Sequence, residues 1–182
     1  MKKTIYTNQA LIFLLGLFLI TSCAHKRTIE ISYQMEDVKE FTPSYQLSIW
    51  LEKTDGTFVK TLFVSDYLAY GGYLEYGICP SWSKKANWDK TTKEELDAVS
   101  GATPDPGDVN LVVECSIDQI PDGEYNLFIQ VHLKENLNDT YKGKVNFLSG
   151  KEMQVQLKPY KTRKIENEEQ KGVVSNIKAM IN

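Results

Sequence analysis

Around its midpoint the chain reads Asp97-Ala98-Val99-Ser100-Gly101-Ala102-Thr103. These residue types at this spacing suit one kind of chemistry, the esterification of a hydroxyl by another enzyme. Thr103 supplies the hydroxyl. Gly101 gives the backbone a freedom that no residue with a Cβ has, and Ala102 leaves the approach to Thr103 uncluttered. Asp97 can orient a metal ion or a proton in the modifying enzyme. The structural alternative is a helix that ends at Gly101 and runs into the turn Pro104-Asp105-Pro106-Gly107.

Nothing else in the chain has the spacing of a catalytic centre. His25 falls in an expected tether and His132 on the solvent face of an expected strand, which argues against histidine-based catalysis. The carboxylates show no paired arrangement and no nucleophile motif is present. Cys79 and Cys115 belong to no C-x-x-C or metal-spaced set. In an oxidising compartment they can either pair, closing a loop worth about 4 kcal/mol, or remain separate thiols. Catalytic residues and metal ligands are therefore not expected.

The element that must carry the motif is a short helix. Thr92-Lys93-Glu94-Glu95 has the form of a capping box, and the helix should run through Leu96 and Val99 to end at Gly101. Thr103 then sits just past a helix C-terminus, an end of the dipole that disfavours a phosphate. A phosphate held there needs a covalent link.

Around the helix the pattern is that of strands. Ile29, Ile31, Tyr33 and Met35 alternate over 28–35. Tyr45, Leu47, Ile49 and Leu51 alternate with Gln46, Ser48, Trp50 and Glu52, and Asp55-Gly56 marks a hairpin returning over 58–64. Further strands are expected at 109–115 and, after the turn Pro121-Asp122-Gly123, at 125–132. A second hairpin around Ser149-Gly150 should join 141–148 to 152–157, with 160–171 as a polar loop or arm. Residues 172–181 fit both a helix and a strand and are taken as a last strand. From 65 to 90 the period breaks in a long connection rich in Tyr67, Tyr70, Tyr73, Tyr76, Trp82 and Trp88. Its rings can shield a planar ligand or pack over the end of the sheets. The whole predicts an all-β, immunoglobulin-like antiparallel β-sandwich with an inserted aromatic loop and a short helix.

The first 22 residues do not belong to that fold. Lys2 and Lys3 precede an apolar run from Ala10 to Ile20, too short to span a bilayer comfortably. Ile20-Thr21-Ser22-Cys23 resembles the lipobox of bacterial lipoproteins. It implies a signal peptide over 1–22, acylation of Cys23, a lipidated tether over 23–27 and one domain over 28–182. Several acyl chains hold a protein to a membrane where one does not. No acidic run follows Cys23, which favours the periplasmic face of a bacterial membrane, taken as the outer one. With 24 acidic against 21 basic residues the chain is formally −3, more so without Lys2 and Lys3, and nucleic acid is not an expected partner.

The run formed by Asp97, Ser100, Gly101, Ala102 and Thr103 resembles the covalent-FMN motif of periplasmic flavoproteins. Examples are the C subunit of the sodium-pumping NADH:quinone oxidoreductase and the G subunit of the Rnf complex, although Ala98 stands where glycine is common. The resemblance implies that an FMN transferase moves FMN from FAD onto Thr103 as a phosphoester. Most of the chain is also similar to the predicted periplasmic family called domain of unknown function twenty-two seventy-one. The matching segments are Tyr45 to Glu52 with Asp55-Gly56, Val59 to Leu62, Asp97 to Thr103 with Pro106-Gly107, and Pro121 to Tyr125. That family keeps company with flavin transferases and membrane-bound redox proteins. It implies a lipid-anchored extracytosolic electron carrier rather than a turnover enzyme. The alternative is a non-enzymatic binding module that grips a glycan or partner protein through Trp82, Trp88 and the tyrosines.

Overall fold

The computed structural model describes residues 26–75, 77–148, 153–161 and 172–181. The expected signal peptide, Cys23, His25, Tyr76, the Ser149-Gly150 turn and most of the polar arm lie outside these residues. Alternation of apolar and polar residues gives β1 (Lys26–Met35), β2 (Gln46–Lys53), β3 (Phe58–Ser65), β4 (Ser100–Gly101) and β5 (Gly107–Ser116). It continues with β6 (Gly123–Lys134), β7 (Leu137–Phe147), β8 (Met153–Gln156), β9 (Lys158–Lys161) and β10 (Val174–Ile181). They form a four-stranded sheet in the order β5-β1-β10-β8 and a six-stranded sheet in the order β4-β3-β2-β6-β7-β9. Because successive side chains point to opposite faces, Ile29, Ile31 and Met35 of β1 share one apolar core with Leu47, Ile49 and Leu51 of β2 and Leu127, Ile129 and Val131 of β6. The chain is mostly β, with two sheets around that core.

The Asp55-Gly56 hairpin forms as expected: Gly56 takes φ +87° and its N–H donates to the Lys53 carbonyl at 3.0 Å. The final segment is a strand, β10, paired with β1 and β8. β1 begins at Lys26, so the last two residues of the expected tether already lie in a sheet. Arg27 explains the earlier start, since its guanidinium pairs with Asp122 and stands 5.1 Å over the Phe147 ring.

The hairpin expected around Ser149-Gly150 does not form. β8 pairs with β10 in the four-stranded sheet, whereas β7 lies between β6 and β9 in the other. The hairpin that does form joins β6 to β7, with Asn136 at φ +58° in its turn. A period of two tells which residues are inward but not which sheet a strand joins, and Asn is among the residues that tolerate the left-handed region.

The segment expected to be an aromatic loop is mostly helical. It holds α1 (Asp66–Ala69), a 3-10 turn (Gly72–Leu74), α2 (Pro80–Ala86) and a second 3-10 turn (Trp88–Lys90), and the expected short helix follows as α3 (Lys93–Val99). Together these cover the outer face of the six-stranded sheet. Trp50 and Val64 of β2 and β3 and Phe128 of β6 join Leu68, Ala69, Ile78, Cys79, Trp82 and Trp88 in a second buried cluster. The Trp50 and Phe128 rings stack with centroids 5.0 Å apart. Each tryptophan of the insertion satisfies its indole N–H, Trp82 to Thr61 Oγ1 at 2.9 Å and Trp88 to the Ala69 carbonyl at 3.0 Å, as buried tryptophans require. β2 and β6 are therefore buried on both faces. His132 is not on a solvent face at all, being 5% exposed.

Cys79 and Cys115 are separate buried thiols, one in the outer cluster and one in the central core. Burial pushes the Cys79 thiol up to about 12, which leaves it protonated and inert at neutral pH.

Candidate functional site

α3 starts where the capping box places it. The Thr92 hydroxyl accepts from the Glu95 N–H at 3.2 Å, and the Glu95 carboxylate accepts from the Thr92 N–H at 3.1 Å. It stops at Val99, not at Gly101. Ser100 is already extended at φ −87°, ψ 150°, and Ser100 and Gly101 pair in parallel with Val64 and Ser65 at the edge of the sheet. Gly101 is thus no left-handed helix cap. Its missing side chain matters for space: a Cβ there would stand 2.9 Å from Cε2 of Phe63. Gly101→Ala is expected to destabilise by about 1–3 kcal/mol through this overpacking, read as a lower midpoint in chemical denaturation. An unchanged midpoint would mean that Phe63 swings aside freely.

From β4 the chain leaves the sheet in an irregular run that crosses to β5. Ala102 is exposed and Thr103 half-buried. The Thr103 hydroxyl accepts a hydrogen bond from Nε2 of Gln46, the first residue of β2, at 3.0 Å. A donor aimed at Oγ1 leaves the hydroxyl proton free to be removed and supports the negative charge that develops on the oxygen as it goes. The same contact survives when the oxygen becomes an ester, because an ester oxygen still accepts. Oε1 of the same amide is buried without a partner, and a phosphate, which offers only acceptor oxygens, does not satisfy it. The Nε2 donor of Gln46 is the group that would suit an ester oxygen at Thr103.

Asp97 lies on the exposed side of α3, where its carboxylate accepts from the Tyr70 phenol at 2.5 Å. The Ser100 hydroxyl lies beside that phenol and acts on its ionisation in the opposite sense. Tyr70 thereby holds the first residue of the motif and stands beside its fourth, and the Asp97 bond is the main reason its ionisation is pushed upward. The motif residues therefore have two anchors, Tyr70 for Asp97 and Gln46 for Thr103. Sequence reasoning singled out neither role. Gln46 looked like an ordinary outward residue of an alternating strand, and Tyr70 was one ring among many.

Beside Gln46, its cross-strand neighbour His132 belongs to a polar network that holds the insertion onto the sheet. The Asn138 amide fixes the tautomer: its oxygen accepts from the Cys79 N–H at 3.1 Å and its nitrogen donates to the Gly77 carbonyl at 2.8 Å. Nδ1 of His132, 3.1 Å from that oxygen, must therefore be the donor. Burial lowers the affinity of His132 for a proton from its usual 6.5, against smaller opposing effects of Asn138 and Glu75. The unfolded chain binds this proton at a higher pH than the folded one, so stability should fall as pH drops below about 6.5. His132→Gln should flatten that part of the profile. A wild-type stability that rises on acidification from pH 7 to 6 would contradict this.

Three large side chains of the insertion are exposed, Tyr67 by 53%, Tyr70 by 60% and Leu74 by 75%. Among the described residues no cluster of His, Cys, Asp or Glu is close enough to hold a metal ion. The family model described as predicted periplasmic protein (DUF2271) matches residues 26–164 of the chain. No curated protein and no solved structure matches it.

Proposed function

The chain belongs to the family of predicted periplasmic proteins DUF2271, and from that premise we propose that it is a flavoprotein carrying FMN as a phosphoester on Thr103. It works as a lipid-anchored, extracytosolic electron carrier. The observation that carries this reading is the Thr103 hydroxyl, half-exposed on an irregular loop at the end of the sheet and addressed by the Gln46 amide.

Attachment needs an FMN transferase that can reach the loop, and the exposure of Ala102, Asp105 and Pro106 leaves room for one. In that step Oγ1 of Thr103 bonds to the FMN phosphorus of FAD, AMP leaves, and the hydroxyl proton passes to the transferase. Gln46 orients the oxygen, and Tyr70 with Asp97 fixes the chain leading up to it. Once bound, FMN takes up and releases electrons singly or in pairs. The two-sheet body, which we read as immunoglobulin-like, holds the loop away from the membrane. The lipobox-like run supplies the anchor at Cys23, and a membrane-bound redox protein is the electron partner.

The competing reading, a binding module gripping a glycan or protein partner, loses its tryptophans. Trp82 and Trp88 are buried, so among the described residues of the insertion such a grip would rest chiefly on the exposed Tyr67 and Tyr70. The deciding experiment is intact-mass analysis of the full chain co-expressed with an FMN transferase. We expect one added FMN moiety and a yellow protein. An unchanged mass refutes the flavin reading.

A further inference from the structure

Where the redox ring of a Thr103-linked FMN comes to rest depends on what its tether can reach. Two surfaces flank the motif. One is a cleft of about 440 Å³ lined by Phe58, Thr61, Trp88, Glu95 and Val99. The other is the protruding group of Tyr67, Tyr70 and Leu74.

The register of the sheet separates them. β4 pairs with Val64 and Ser65, the last two residues of β3, and runs parallel to it, so Ala102 and Thr103 continue past the end of β3. α1 begins at that same end, with Asp66, and Tyr70 caps it. The cleft draws on Phe58 to Thr61, the first residues of β3, and meets the motif only on the α3 side, at Glu95 and Val99 ahead of β4. Tyr70 is nearer still than α1 as a whole, because its phenol donates to Asp97 at 2.5 Å and stands beside Ser100. Ser100 and Thr103 can be no more than roughly 10 Å apart along the chain, a distance that the phosphate and extended ribityl arm of FMN also cover.

Resting on the flavin attachment proposed above, we infer that Tyr70 is the platform for the isoalloxazine ring, which lies against its exposed face with Tyr67 and Leu74 at the margin. A planar aromatic ring gains from offset stacking on another beyond the area it buries. Tyr70 is pre-positioned for this at little further conformational cost, since Asp97 already holds its hydroxyl. The ring then covers apolar surface that the fold leaves open to water.

The test uses the full chain co-expressed with the transferase, with flavin fluorescence measured per mole of covalently bound flavin and mass analysis of every variant. Tyrosine and tryptophan in contact with an isoalloxazine quench its emission, whereas an aliphatic side chain does not. The flavin of the unsubstituted protein should be strongly quenched. Tyr70→Leu should raise the emission several-fold, and Tyr70→Trp should keep it quenched. Emission in Tyr70→Leu equal to that of the unsubstituted protein, with the FMN mass present in both, overturns the platform. Absence of the FMN mass from the unsubstituted protein instead overturns the attachment on which it rests.

Discussion

Thr103→Ala should leave a chain with no covalent flavin at all. After co-expression with an FMN transferase its intact mass should be that of the bare polypeptide and its visible absorbance nil. The loss is all-or-none because the phosphoester needs an oxygen at that position, and no neighbouring hydroxyl has the same access. Ser100, three positions earlier, is held in β4 beside the Tyr70 phenol. The fold should not notice: Thr103 is half-buried, and its one hydrogen bond, from Gln46, is worth about 1 kcal/mol. Thr103→Ser keeps the oxygen but drops the methyl that stiffens the side chain, so it should be modified more slowly rather than not at all. Gln46→Ala removes the donor to Oγ1 and should slow flavin transfer by roughly 2- to 10-fold, the kinetic equivalent of one hydrogen bond. It should cost little stability, because it also removes the unpartnered Oε1. A full FMN adduct on Thr103→Ala would place the cofactor elsewhere and end the proposal.

The parts of this site that were legible in the sequence are those written in local chemistry. Thr92 and Glu95 mark the start of α3 because a capping box is a spacing of three residues. Asp55-Gly56 marks a turn because the hairpin demands a residue tolerant of positive φ. The long-range parts were not legible. Gln46 meets Thr103 from 57 positions away, and nothing in the spacing of either residue announces the other. The outer layer was hidden for a different reason. Its helices run to seven residues at most, shorter than the window in which a helical period can be read. Trp50 and Phe128 consequently looked like outward residues of half-exposed strands, whereas they are the floor of a second core. Gly101 is the instructive error. The expectation was of a glycine used for its φ, and the structure uses it for the space beside Phe63, a demand set by a strand more than 30 positions earlier in the chain.

Trp82→Ala should be the most destabilising single change in that outer layer. The side chain is fully buried, lies 4.9 Å from the Trp88 ring and donates its indole N–H to Thr61. Truncating such a tryptophan costs about 3–5 kcal/mol, a large share of the roughly 5–15 kcal/mol that holds a domain together. How the loss is distributed follows from the helices. Segments of four to seven residues have almost no stability of their own, so α1, α2 and α3 persist because they pack on Trp50 and Phe128. Gln130 assists by accepting the N–H groups of Ser81 and Trp82 at 3.1 and 3.4 Å. The central core around Ile31, Ile49 and Ile129 is a separate cluster. Removing Trp82 should therefore open the insertion before the sheets, as a local unfolding. Amide exchange should accelerate across 66–99 while β1 and β10 stay protected, and Trp82→Phe should lie between the two. The effect should then reach the site, since α3 and β4 carry Asp97 and Ser100 and are held by the same insertion. Flavin attachment should fall in Trp82→Ala in parallel with the lost protection, where Thr103→Ala loses it with protection intact. Uniform acceleration of exchange through both sheets would show instead that the two cores fold as one.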